Sequence, residues 1–192
     1  MQPSRKTDFH AFTIKADGIV NRIISLAKVS KAFDPRRPPT VMPPLVEVQA
    51  LWDTGANHSV ITGSLAKRLN LLPAGKQVVN HGGGQSHENT HIVNIMLPNG
   101  VAFSGVLVTE LPNVNDTFDL IIGMDIIAAG DFSFTNAGGK SCFSFRFPSK
   151  QHIDYVAEWN TRVLGSQKVN DLCYCGSGRK AKKCHGAKAQ PR

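Results

Sequence analysis

Asp53-Thr54-Gly55-Ala56, arriving directly after the apolar run Val48-Gln49-Ala50-Leu51-Trp52, constrains this chain more than any other segment. An acid, a hydroxyl and a glycine at the end of a β-patterned run spell a tight turn that presents one carboxylate. Proton-sharing chemistry between carboxylates needs two of them, close enough that both cannot ionise at once. The chain holds no second Asp-Thr-Gly or Asp-Ser-Gly. A functional turn therefore takes its second acid from another copy of the chain. The motif predicts a homodimer.

Around the turn the pattern is almost wholly β. Phe12-Thr13-Ile14-Lys15 leads into Ala16-Asp17-Gly18, where Asp-Gly predicts a hairpin turn back into a long strand over residues 19–29. Pro35, Pro38, Pro39, Pro43 and Pro44 stiffen a connection that neither a helix nor a central strand accepts. Residues 45–52 predict the strand that runs into the turn, residues 59–62 a short strand, and residues 64–69 a turn or two of helix. Segments 77–80 and 90–93 predict the arms of a long hairpin around Gly82-Gly83-Gly84. Pro98-Asn99-Gly100 predicts a second hairpin, between residues 93–97 and 101–108.

Asp119-Leu120-Ile121-Ile122-Gly123 reads as a buried strand ending at glycine, followed by a short helix over 124–129 that Gly130 stops. Residues 132–134 and 142–147 alternate apolar and polar side chains around Asn136-Ala137-Gly138-Gly139, a last hairpin. Residues 151–164 carry the best helix pattern, with Ile153, Val156, Asn160 and Val163 along one face, and a linker over 165–170 follows.

Ala50-Leu51-Trp52-Asp53-Thr54-Gly55-Ala56 with Ser59-Val60-Ile61 resembles the active-site loop of retropepsin-like aspartic proteases. Leu120-Ile121-Ile122-Gly123-Met124-Asp125 resembles that family's second signature, and the glycine-rich hairpin at 78–92 falls where the family keeps its flap. The resemblance spans residues 45–147. It implies a mainly β, single-lobe, closed-barrel acid-protease fold over residues 9–147 that homodimerises over a peptide-binding cleft. By the same resemblance Asp53 is the catalytic acid. Thr54, Gly55 and Ala56 support the active site, and Gly82, Gly83 and Gly84 form the substrate-binding flap tip. Trp52 is bulkier than the aliphatic residue usual before the acid, and about 40 residues precede the strand that leads into it.

Cys173-Tyr174-Cys175, then Cys184-His185 after eight residues, is a second constellation. Three thiols and an imidazole make a complete tetrahedral zinc set with no position left for water, so the predicted zinc is structural. The competing reading, a disulfide or free thiols, needs an oxidising setting that nothing in the sequence suggests. Residues 171–187 resemble the SEC-C motif, a small zinc-binding module similar to the tail of the SecA translocation ATPase. The resemblance implies docking to a protein, ribosome or nucleic acid.

Charge follows the same division. The net charge is +8, and residues 165–192 hold seven Lys or Arg against Asp171 alone, so the tail carries most of it. A basic tail suits an anionic partner or simple solvation. No apolar run reaches the roughly 18 residues of a membrane span, and Met1-Gln2-Pro3-Ser4-Arg5-Lys6 leads into no apolar signal core. These features predict a cytoplasmic chain with reduced cysteines.

Other residues read as structural. Gly176-Ser177-Gly178-Arg179-Lys180 lacks the spacing of a phosphate loop. His58, His81, His87 and His91 read as solvent-facing or hydrogen-bonded strand residues, not as a metal cluster. Asp125 and Asp131 sit in no Asp-Thr-Gly turn, and Cys142 reads as a small apolar side chain. The function these features predict is an aspartic endopeptidase that hydrolyses protein or peptide substrates with a water activated by Asp53 from each copy. The alternative is a catalytically silent dimer of the same fold, acting as an adaptor through its zinc tail; intact Asp53-Thr54-Gly55 speaks against it.

Overall fold

The computed structural model describes residues 9–81, 84–111, 117–166 and 168–184. It comprises two compact units, residues 1–150 and residues 151–192. In the first unit the strands are β1 (His10–Lys15), β2 (Ile23–Lys31), β3 (Val46–Trp52), β4 (Val60–Thr62), β5 (Gly75–His81), β6 (Gly84–Met96), β7 (Ala102–Leu111), β8 (Leu120–Ile122), β9 (Asp131–Thr135) and β10 (Cys142–Phe147). Two short helices interrupt them, α1 (Gly63–Arg68) and α2 (Met124–Ile127).

Hydrogen-bonded neighbours run β2-β3-β8-β4-β7-β6, and β6 pairs back onto β2, so six strands close into a barrel. Closure removes the edges that an open sheet would expose. Side chains alternate as a half-buried strand requires: Ser25, Ala27 and Val29 of β2 face inward while Leu26 and Lys28 face out. Val48, Ala50 and Trp52 of β3, Ile61, Val93, Ile95, Val108, Leu120 and Ile122 fill the interior. Each fully buried Ile, Leu or Val here contributes on the order of 1.5–3 kcal/mol. Thr62 caps α1 by accepting from the Leu65 N–H, and Asn70, at φ 49°, closes its far end.

Two expectations change at the N-terminus. The Asp17-Gly18 turn makes no hairpin: β1 pairs antiparallel with β10, and β10 with β9, in a separate three-stranded sheet. Long-range packing outweighs the local turn signal here, because Phe12 of β1 meets Phe143 edge-on at 5.6 Å between ring centroids. The strand expected from residue 19 begins at Ile23, and residues 19–22 leave the sheet. The β9–β10 hairpin forms where its alternation predicts, and the Asp131 carboxylate ties it down. Asp131 accepts from the Ser149 hydroxyl, the Lys150 N–H and the Arg146 guanidinium, which hold its carboxyl down to about 2. A lowered pKa makes this contribution present above the usual carboxylate range and lost only as pH falls toward 2.

The arms of the flap-like hairpin are longer than their sequence signal, β5 pairing with β6 from Gly75 opposite Thr90 to His81 opposite Gly84. In the second unit, helix α3 (Tyr155–Ser166) starts four residues later than the pattern suggests. Asp154 sets that start, its Oδ1 accepting from the N–H groups of Val156 and Ala157. No helix among the described residues is long and apolar enough to cross a membrane.

Candidate active site and candidate metal centre

Strand β8 lies between β3 and β4, parallel to the first and antiparallel to the second. The chain leaving β3 must therefore arch over the end of β8 before it returns as β4, and Asp53-Thr54-Gly55-Ala56 is the start of that arch. The Asp53 N–H donates to the Ile122 carbonyl at 3.0 Å and the Ala56 N–H to the Asp53 carbonyl at 3.2 Å. The Gly55 N–H donates to Asp53 Oδ1 at 2.8 Å, so one carboxylate oxygen is held by its own turn. Asp53 is half-buried, and Thr54 and Gly55 are exposed. A cavity of about 350 Å³ opens beside the acid, lined by Asp53, Trp52, Leu51, Phe134 and residues 20–23.

The far side of the arch is pinned as firmly. The Met124 N–H donates to the Ala56 carbonyl at 2.8 Å. Asp125, set aside in the sequence as a helix residue, accepts from both the Ser59 N–H (2.9 Å) and the Ser59 hydroxyl (2.8 Å), and the Gly123 N–H reaches the same hydroxyl oxygen at 3.2 Å. Asp125 is thus a strut of the Asp53 arch. Gly123 has no room for a side chain: a Cβ would lie 2.6 Å from the His58 carbonyl carbon and 2.9 Å from the Ala56 oxygen.

Trp52, unusual for its bulk, is buried with Nε1 donating to Ser25 Oγ at 2.9 Å. Its indole packs on Phe12, Phe132, Phe143 and Phe145 at 4.9–6.3 Å, fastening the three-stranded sheet beside the acid. No local signal in the sequence announces these partners, which lie up to 93 positions away.

At the root of the β5–β6 hairpin, buried His91 lies between two acceptors, the Leu72 carbonyl at Nδ1 (3.1 Å) and Glu110 Oε2 at Nε2 (2.9 Å). Asn89 donates to the same Glu110 oxygen. The His91 hydrogen bond, helped by Asn89, holds the Glu110 carboxyl below its usual range. That contribution is therefore present above ordinary carboxylate pKa values and lost as pH falls. Gly84 opens β6 with φ 121°, paired to His81, while Gly82 and Gly83 lie outside the described residues.

In the second unit the thiols of Cys173, Cys175 and Cys184 lie within 4.8 Å of one another. Cys175 and Cys184 sulfurs are 3.6 Å apart, close to the edge of about 3.8 Å that a tetrahedron of Zn–S bonds near 2.3 Å requires. Cys173 and Cys175 sit in a small hairpin, with Leu172 bridging Lys180 and the Cys173 N–H donating to the Arg179 carbonyl at 2.7 Å, and the turn over Ala181–Lys183 brings Cys184 back to them. Gly176 and Gly178 take φ of 73° and 68°, conformations that residues with a side chain rarely adopt. The Ser177 hydroxyl and N–H hold the Cys175 thiol below its usual range. Donor type and spacing are compatible with zinc. His185 lies outside the described residues, and no histidine joins a metal-ligand cluster among those described.

Residues 45–126 match the family model described as Aspartyl protease. Over that segment the chain is aspartyl-protease-like. Residues 170–187 match the SEC-C motif. Similar solved structures include a retropepsin-like aspartic protease from Rickettsia conorii, 13% identical, spanning 72% of this chain and 94% of that one with a TM-score of 0.42. The EIAV protease complexed with the inhibitor HBY-793 is 22% identical, spanning 56% and 86% with a TM-score of 0.37. The retroviral protease-like domain of Ddi1 from Leishmania major is 21% identical, spanning 46% and 71% with a TM-score of 0.33. No curated protein matches the chain.

The arch predicts a specific weakness in this aspartyl-protease-like segment. Gly123→Ala should destabilise the protein by about 1–3 kcal/mol, the range of small overpacking errors, because the Ala56 and His58 backbone must move to admit one methyl. Chemical denaturation of both proteins reads it, with Gly18→Ala, where a Cβ meets nothing within 4 Å, as the reference.

Proposed function

We propose that the chain is a homodimeric aspartic endopeptidase in which Asp53 of each copy forms the catalytic pair. The observation that carries this reading is the placement of Asp53. A single half-buried carboxylate, one oxygen fixed by the Gly55 N–H, stands on a doubly pinned arch at the mouth of a cavity. Two such turns brought together hold two carboxylates a few ångströms apart, which share one proton. The ionised member takes a proton from a bound water as that water attacks the peptide carbonyl. The protonated member donates to the carbonyl oxygen, giving a tetrahedral intermediate. Collapse of that intermediate, with a proton passed to the departing nitrogen, cleaves the bond. The nucleophile is water, so no acyl-enzyme forms.

The supporting roles follow from position. Thr54, exposed at the turn, offers its hydroxyl to the facing turn of the second copy. Gly55 keeps the space against Asp53 Oδ1 clear, since a Cβ there would sit 3.2 Å from that oxygen. The β5–β6 hairpin, with Gly82, Gly83 and Gly84 at its tip, closes over an extended substrate strand and excludes water from the pair. In the tail, Cys173, Cys175, Cys184 and His185 would hold a structural zinc, which supplies a cross-link that folds the knuckle. Arg179, Lys180, Lys182 and Lys183 around it face an acidic protein surface or nucleic acid and bring substrate or location. Thiolates that hold zinc suit a reducing, cytoplasmic setting.

Asp53→Asn tests the catalytic reading. Removing one member of a catalytic unit leaves little of the rate, so peptide-library cleavage should fall by roughly 10³-fold or more while the dimer persists in sedimentation. A wild-type protein that cuts no peptide from acid to neutral pH would favour the silent adaptor. Metal analysis tests the tail: one zinc per chain is expected, lost in Cys175→Ser with the β domain's circular dichroism unchanged. Zinc retained in both Cys173→Ser and Cys175→Ser contradicts the assignment.

A further inference from the structure

Positive charge is concentrated on one small body. In the knuckle of the second unit, Lys168, Arg179, Lys180, Lys182 and Lys183 are all exposed, against the single acid Asp171. Backbone bonds gather them. The Lys182 N–H donates to the Val169 carbonyl at 3.1 Å and the Ala181 N–H to the Asp171 carbonyl at 2.8 Å, laying the Lys168 end against residues 180–183. Asp171 is engaged in the same loop, its Oδ2 accepting from the Lys168 N–H at 3.1 Å. Among the described residues no ion pair joins any of the five cations to an acid. Residues 1–164 hold fifteen Lys or Arg against thirteen acids, so the rest of the chain carries no excess of acid to neutralise them. The partner such a cluster attracts is a polyanion from outside the chain.

Apolar surface is interleaved with this charge. Tyr174 is 41% exposed and Leu172 69%. Leu172 bridges Lys180 across the hairpin, and the backbone bond from Cys173 to Arg179 continues the same pairing toward Tyr174. Tyr174 stands between Cys173 and Cys175, two of the three gathered thiols. A metal held there fixes the backbone on both sides of the ring, which lowers the entropy lost when a ligand packs on it. Cations that track phosphates, beside an aromatic face on which a base stacks, are the means by which proteins hold single-stranded nucleic acid. Reading a duplex takes a helix or two-stranded ribbon long enough to enter a groove. The knuckle offers one bridged pair and the three-residue turn Ala181–Lys183. A single strand presents its bases without a groove. An acidic peptide would use the charges and leave the ring no role.

We propose that the knuckle is a binding site for single-stranded nucleic acid, with Lys168, Arg179, Lys180, Lys182 and Lys183 on the phosphates and Tyr174 stacked on a base. This rests on the reading of the tail as a docking module and names its partner. Affinity is then strongly salt-dependent and weakly sequence-dependent, and the tail places the chain on exposed strands.

Full-length protein, its zinc content measured, would be titrated into labelled oligouridine, oligothymidine, a DNA duplex and poly-glutamate, followed by fluorescence anisotropy. One or both single strands should bind at least roughly tenfold tighter than duplex and poly-glutamate, and the tighter of the two tells RNA from DNA. The slope of log affinity against log salt should be about −3, since each neutralised phosphate of a single strand contributes roughly −0.7. Lys180→Gln with Lys182→Gln should make that slope shallower by about 1.4. Tyr174→Ala should weaken binding roughly tenfold at unchanged slope, and Tyr174→Phe should restore it. Unchanged zinc content and circular dichroism establish that each variant is folded. Poly-glutamate bound as tightly as the single strands, with no effect of Tyr174→Ala, marks an acidic-protein dock and overturns the proposal. Tighter binding to duplex, or no binding at all, overturns it as well. The two readings fail separately. A protein without zinc that still binds single strands sinks the metal reading and keeps the surface; one zinc per chain with no binding does the reverse.

Discussion

Strand β8 threaded between β3 and β4 is the constraint from which the rest of the site follows. It forces the chain after Trp52 to cross over a strand end, and that crossing is held by backbone bonds from Asp53 to Ile122 and from Met124 to Ala56. Such bonds fix positions and leave side chains free, so Asp53 keeps its carboxylate available while its backbone cannot wander. Asp125 adds two bonds to Ser59 from the opposite flank. The absence of space at Gly123 shows how closely the two segments approach. A catalytic group needs placement to within a fraction of an ångström, and rigid elements supply it better than loops.

Trp52 extends that rigidity outward. Its indole is the hub of an aromatic cluster that joins the barrel to the small sheet of β1, β10 and β9. Aromatic pairs at these separations add about 0.5–1.5 kcal/mol each beyond burial. The bulk that distinguishes Trp52 from an aliphatic residue is thus spent on packing against that sheet.

The parts legible in the sequence are those with local signals. Asp-Thr-Gly after an alternating run, Ile121-Ile122-Gly123 before a short helix, and Pro98-Asn99-Gly100 between β runs each encode their geometry within a few residues. What stayed hidden depends on distance along the chain. Asp17-Gly18 reads as a hairpin because the competing partner of β1 lies some 130 residues away, and no pairwise signal marks it. Asp125 lies in the short helix its sequence implies, but its bonds to Ser59, 66 positions off, have no local signal, and the Glu110 bond to His91 joins strands whose side-chain contact no periodicity reveals. The cysteines of the tail sit between these cases: their spacing names the donors, while only the fold shows three sulfurs gathered by a small hairpin and the turn after it.

In the proposed reading, one Asp-Thr-Gly acid per chain makes activity a property of pairs, and subunit mixing measures that directly. Wild type and Asp53→Asn would be combined in varying ratio at fixed total concentration, allowed to exchange, and assayed for peptide cleavage. The pair mechanism predicts that activity follows the square of the wild-type fraction, so an equal mixture retains about one quarter of it. A linear fall, with about one half retained at equal mixture, would show that each chain works alone and would contradict the account.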